Sequence, residues 1–114
     1  FAMLSPWELV AKSPCRILLL LYESGRTTCN IRTNCKLTLA IINPTLSYYV
    51  FCFVHPLPAL EETPSQALFE LKVEQVLEDL VPTATILTGL TFEGFDPGIP
   101  TEDRERAFQM LLSL

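Results

Sequence analysis

Two greasy runs limit what this chain can become. Ile17 to Tyr22 and Tyr48 to Val54 are apolar at every position. Leucine also suits a helix, but Pro14 before the first run and Ser24-Gly25 after it leave little room for one, so Ile17–Glu23 reads as a strand. As strands, runs without alternation must be covered on both faces. The second run belongs to a strand over Ser47–Val54, ended by Pro56 and Pro58. Between them Lys36 to Ile42 alternates. Leu37, Leu39 and Ile41 point one way, and Lys36, Thr38 and Ala40 the other. Asn43-Pro44-Thr45 supplies the turn that joins this strand to the next. Thr27–Thr33, rich in β-formers, is expected to be extended.

Helix signals flank these strands. Ser5-Pro6-Trp7-Glu8 has a capping serine, a proline at the first helical position and a glutamate three residues on, so a short helix is predicted up to Pro14. Thr63-Pro64-Ser65-Gln66 repeats that pattern and predicts a helix to about Val81, before Pro82. On that helix Phe69, Val73, Val76, Leu77, Leu80 and Val81 fall in one stripe facing the sheet. Thr85–Phe92 is expected to be a further strand, with Gly89 marking a bulge or a close approach. Gly94–Pro100 reads as a tight loop. Thr101 caps a last helix with Glu102 and Asp103 at its positive end and Ala107, Phe108, Leu111 and Leu112 inward. The fold class is therefore α+β. The expected architecture is a two-layer sandwich, a mostly antiparallel four- to five-stranded sheet with helices packed on one face, in the order α-β-β-β-α-β-α.

The length suits a single domain, residues 1–114. Phe1-Ala2-Met3 resembles a residual tag, so an excised piece of a larger protein is expected. The hydrophobic fraction of 49% and the mean hydropathy of +0.32 are high, and the charged fraction of 18% is below the roughly 25% usual in soluble domains. The apolar surplus favours a surface that another domain or chain covers over a merely well-filled core. No apolar run approaches the ~18 residues of a spanning helix. Cys15, Cys29, Cys35 and Cys52 admit three disulfide pairings. Three of them lie in or beside apolar runs, and Asn43-Pro44-Thr45 is blocked as a glycosylation site by its proline. Reduced thiols and an intracellular protein, in cytoplasm or nucleus, are expected.

Charge is divided between the halves. Residues 1–58 carry five basic against two acidic groups, and residues 59–114 three against eleven. The acidic half would repel nucleic acid. On the helix predicted over 63–81, Glu70, Glu74 and Glu78 stand four apart as a column of like charge, with Leu68 and Leu71 turned away from the core stripe. These five residues are the candidate partner-binding surface. The column would meet a basic surface, in this chain (Arg26, Arg32, Lys36) or on a partner. Leu68 and Leu71 are either covered by the last helix or exposed as an apolar pair.

Catalytic and metal sets are weak. His55, the only histidine, follows Cys52 by three, which on a strand puts the two on opposite faces with no third group to orient them. Cys29, Cys35, Cys52 and His55 lack zinc-finger spacing. The glycines form no phosphate loop. Glu93 and Asp96 flank a turn rather than forming an acid–base pair. Leu21-Tyr22-Glu23-Ser24-Gly25 superficially looks like the end of the first helix of a winged helix-turn-helix, but the second helix is missing. No enzyme activity, metal or cofactor is expected.

After the first helix, the order β-β-β-α-β-α resembles the ribosomal-protein-S5 domain-2-like fold, which includes the transducer domains of topoisomerase, gyrase and mismatch-repair ATPases. The resemblance lies in element order, and no diagnostic motif accompanies it. It implies, as an alternative function, a transducer-like domain of an ATP-driven nucleic-acid machine. The order also partly resembles longin and roadblock-type adaptor domains, where a strand meander is followed by a helix. The first expectation is a non-catalytic protein–protein interaction or structural module, a scaffold or complex subunit. Its partner is another protein chain or domain, or a second copy, with no direct contact to nucleic acid or membrane.

Overall fold

A computed structural model describes residues 2–80, 83–89 and 101–114. A single turn of 3-10 helix, Pro6–Glu8, leads into β1 (Leu9–Ser13), β2 (Arg16–Tyr22), α1 (Arg26–Asn34), β3 (Lys36–Ile42), β4 (Ser47–Leu57), β5 (Gln66–Glu78) and α2 (Thr101–Ser113). The five strands form one antiparallel sheet in the order β1-β2-β5-β4-β3. The mixed α+β class is as expected. The element order is not, and the β-β-β-α-β-α succession behind the S5-like resemblance is absent.

The first correction lies at the amino-terminal end. The Ser5–Glu8 cap does form, with the Ser5 N–H donating to Glu8 Oε2 at 2.8 Å. It holds only one turn. Leu9, Val10 and Ala11 then pair with Leu19, Leu18 and Ile17, because burying Val10 against the sheet contributes more than extending a three-residue helix whose nucleus is costly. Pro14 and Cys15 form the hairpin turn rather than a helix stop.

The second correction is α1. Thr27–Thr33, expected extended, is helical. Threonine, asparagine, cysteine and isoleucine are poor helix formers, and nine residues are too few to be helical alone. Tertiary geometry decides it. β2 and β3 are three strand spacings apart, about 14 Å. A nine-residue helix measures about 13.5 Å and bridges that gap. Ile31 is buried in the core beneath, and the buried Thr28 hydroxyl donates to Tyr22 O at 2.6 Å. Cys35, at φ 57°, ends the helix by donating its N–H to Ile31 O at 2.7 Å.

The largest correction is residues 66–78. They are not a helix but β5, the central strand of the sheet. Thr63, Pro64 and Ser65 form a turn in front of it. β5 pairs with β2 from Gln66 to Lys72 and with β4 from Leu68 to Glu78. Ala67, Phe69, Leu71 and Val73 lie on one sheet face, and Leu68, Glu70 and Lys72 on the other. A bulge at Glu74 interrupts the alternation, so that Cys52 faces Val73 while Phe51 faces Gln75.

Helices cover the sheet on opposite faces, another departure from the two-layer expectation. Beneath α1, Ile17, Leu19, Leu21, Ile31, Val54, Phe69 and Leu71 form one core. Beneath α2, Val10, Leu18, Leu20, Leu60, Leu68, Ala107 and Leu111 form a second. Each fully buried leucine or phenylalanine contributes about 1.5–3 kcal/mol. Trp7 stands edge-on to Phe108, ring centroids 5.6 Å apart, and Lys12 Nζ donates to Leu111 O at 3.2 Å and to Leu112 O. The lysine thus satisfies carbonyls at the negative end of α2. Ala107, Phe108 and Leu111 face inward as expected, whereas Leu112 is exposed.

β4 continues through Pro56 to Leu57. Val54 N–H donates to Cys35 O, just ahead of β3. Residue 56 therefore turns its nitrogen to the side where β3 has already ended, and no rung is lost. The 43–46 turn is as expected, with Asn43 Oδ1 accepting from the N–H groups of Thr45 and Leu46 at 2.9 and 2.8 Å. Residues 83–89 are not a strand. Gly89 does make a close approach: a Cβ there would overlap the Ile42 carbonyl. The rest of the expected 85–92 strand, and the 94–100 loop, lie outside the described residues.

Candidate functional site

β3, β4 and the far half of β5 run past the end of β2. The last rung between β2 and β5 is Val73 N–H to Cys15 O at 2.9 Å, and the β1–β2 hairpin turns back there. Beyond it, among the described residues, the sheet is a three-stranded arm made of β3, the start of β4 and Glu74–Glu78. β5 itself, thirteen residues, is about 43 Å long.

Side chains on the arm follow from the register. On the α1 side, Leu39, Val50 and Val76 form one row, and Ile41, Tyr48 and Glu78 the next. On the α2 side, the rows are Lys36, Phe53 and Lys72, then Thr38, Phe51 and Gln75, then Ala40, Tyr49 and Leu77. Apolar side chains are exposed here, as they also are at Leu87 and along the end of α2 at Leu112 and Leu114. Val76 is 55% exposed, Leu77 47%, Ile42 42%, Phe53 42% and Ile41 40%. β2 is covered on both faces as its sequence requires. β4 is not, since Tyr49 and Phe51 are only half-buried and Phe53 faces solvent. That corrects the expectation of double cover for the second apolar run.

The five residues proposed from a helical wheel separate once the segment is a strand. Leu68 is 3% exposed in the α2-side core, and Leu71 is 0% exposed in the α1-side core. They are neither a surface pair nor on one face, and aspartates there would each bury a charge in a different core. Glu70 Oε2 accepts from Arg16 Nε at 2.6 Å, at the base of the arm. Glu74 and Glu78 are exposed on the arm itself, and neither is ion-paired with a described residue. The column of like charge does not exist as such, because the bulge at Glu74 breaks the spacing.

The basic groups weighed as intrachain partners are placed elsewhere. Arg32 forms a fork with Glu23, its Nη2 2.8 Å from Oε2, and lies 5.7 Å over the Phe69 ring. The hydrogen bond from Arg32 holds the Glu23 carboxyl below its ordinary pKa and in return raises the guanidinium's own. Lys36 Nζ lies 5.2 Å over the Phe53 ring. Arg26 is exposed at the start of α1.

Cys52 and His55 occupy opposite faces of β4, as their spacing requires. Cys52 is buried, and burial pushes its thiol pKa up, away from the nucleophilic form. Cys15, Cys29 and Cys35 are exposed, and all four are free thiols. Among the described residues no three metal-ligating side chains converge, and Glu93 and Asp96 lie outside them. A cavity of about 250 Å³ between residues 2–4 and the start of α1 is lined by Glu8, Tyr22, Arg26, Thr27 and Thr28 among others. Glu8 and Thr28 there are engaged with Ser5 N–H and Tyr22 O. No described helix is long and apolar enough to cross a membrane.

Among the described residues no helix covers the arm. Its sequence signal was the surplus of apolar residues, which had no assigned location. No protein-family model and no curated protein matches the chain.

Proposed function

We propose that this domain is a non-catalytic interaction module whose contact surface is the projecting arm of β3, β4 and the end of β5. One observation carries the reading. Ile41 and Val76 on the α1 side and Ile42 and Leu77 on the α2 side expose apolar surface at one end of the sheet, while β2 is covered on both faces. Apolar side chains clustered on a well-packed domain mark a surface that a partner buries. Acidic Glu74, Glu78 and Asp79 at its border add a preference for basic partners. An intracellular setting goes with this reading, since three exposed cysteines are free.

Ile42→Asp combined with Leu77→Asp places two charges on the arm without touching either core. The domain should still unfold cooperatively, at a modestly lower thermal midpoint, and lose the protein complexes that co-purify with it from cells. An unchanged set of complexes rejects the proposal.

A further inference from the structure

Resting on the interaction reading above, we infer that Glu74–Glu78 is a docking edge, filled by an extended, basic segment of a partner protein that adds beside β5 as a sixth strand. The backbone makes the slot. Asp79 N–H donates to Ser47 O, so the alternation of the antiparallel ladder turns Leu77 and Gln75 toward β4. Val76 and Glu78 turn their N–H and C=O groups the other way, into the space above the β1–β2 turn. Among the described residues no strand lies there. Such an edge is a template for strand addition. At five residues and about 17 Å, it is as long as an ordinary strand.

Charge selects the occupant. Residues 73–80, Val-Glu-Gln-Val-Leu-Glu-Asp-Leu, hold three acids and no base. A second copy pairing across a twofold axis centred on Val76 would set Glu74 opposite Glu78, like against like, twice. A segment with an apolar residue opposite Val76 and lysine or arginine opposite Glu78, two positions away, meets both features. Lys72 and Arg16 are below the slot, and Arg16 is held by Glu70.

The probe is a labelled peptide of about seven residues with a valine at its centre, a lysine two positions to either side and threonines between, and the same peptide with glutamates for lysines is the comparator. Anisotropy should show binding of the first and not the second, weakening as salt rises. Amide exchange at Val76 and Glu78 should slow in the complex, which a contact on either sheet face would not cause. Val76→Pro removes an outward N–H that the ladder to β4 does not use, and should weaken binding at least about tenfold while the domain stays folded. Glu74→Lys with Glu78→Lys should weaken it similarly and abolish the salt dependence. No binding to the wild-type domain, or equal binding by Val76→Pro, overturns the inference. Co-purifying complexes lost in Ile42→Asp/Leu77→Asp but kept in Val76→Pro would overturn strand addition alone and leave the arm as a contact surface.

Discussion

Alanine at Leu71 and at Leu77, one at a time, separates the two arrangements open to residues 66–78. Helical periodicity puts Leu77 inside and Leu71 outside. The sheet reverses them, with Leu71 0% and Leu77 47% exposed. Leu71 packs among Ile17, Val54 and Phe69, and its truncation removes the transfer energy of the side chain and leaves a cavity in the middle of the sheet. A cost of about 3 kcal/mol is expected, within the 2–5 usual for buried leucine. Leu77 has lost only half its surface to the fold. Full burial of leucine is worth about 1.5–3 kcal/mol and solvent fills the space, so about 1 kcal/mol or less is expected. Urea unfolding followed by far-ultraviolet circular dichroism reads both. At unchanged slope, Leu71→Ala should move the midpoint down by about 1–2 M, and Leu77→Ala by a few tenths. Equal losses, or a larger loss at Leu77, would refute β5 as the central strand.

Two further outcomes follow from side-chain placement. In native protein Cys15, Cys29 and Cys35 should react promptly with a thiol reagent, and Cys52 only on unfolding, because it is buried and its thiol resists ionisation; titration of thiols with and without urea counts them. The Glu23–Arg32 fork should add an acid-side slope to stability. Glu23 has a lowered folded pKa, so its contribution is present above the ordinary carboxylate value and is lost as pH falls through the folded one. Glu23→Gln should flatten that part of the profile, and an identical profile would show the fork to be without effect.

Much of the sheet is legible in sequence because its signals are local. β2 is a short greasy run hemmed in by Pro14 and Ser24-Gly25, which favours a doubly covered strand over a helix, and β3 alternates cleanly. Residues 66–78 mislead for a specific reason. Thr63-Pro64-Ser65-Gln66 imitates a helix start, and Glu70, Glu74 and Glu78 imitate helical spacing. The two-residue alternation through Ala67, Phe69, Leu71 and Val73 is present, but the bulge at Glu74 ends it and hides the period. α1 is illegible for a different reason. Its residues disfavour helix, and what makes it helical is the distance it spans. Glu74 and Glu78 are on the arm although the helical reasoning that singled them out does not hold. Leu68 and Leu71 are not, because strand parity sends neighbours to opposite faces.

The strand order carries a cost during synthesis. β5 is the last of the described strands to leave the ribosome, yet it sits between two hairpins completed earlier, β1–β2 and β3–β4. Until it arrives, Leu18 to Leu21 and Val50 to Val54 flank an empty groove of strand width. Pairings so distant along the chain form slowly. A nascent chain halted near residue 65 would present two unmatched, oily strand edges, a natural substrate for chaperones and a starting point for aggregation.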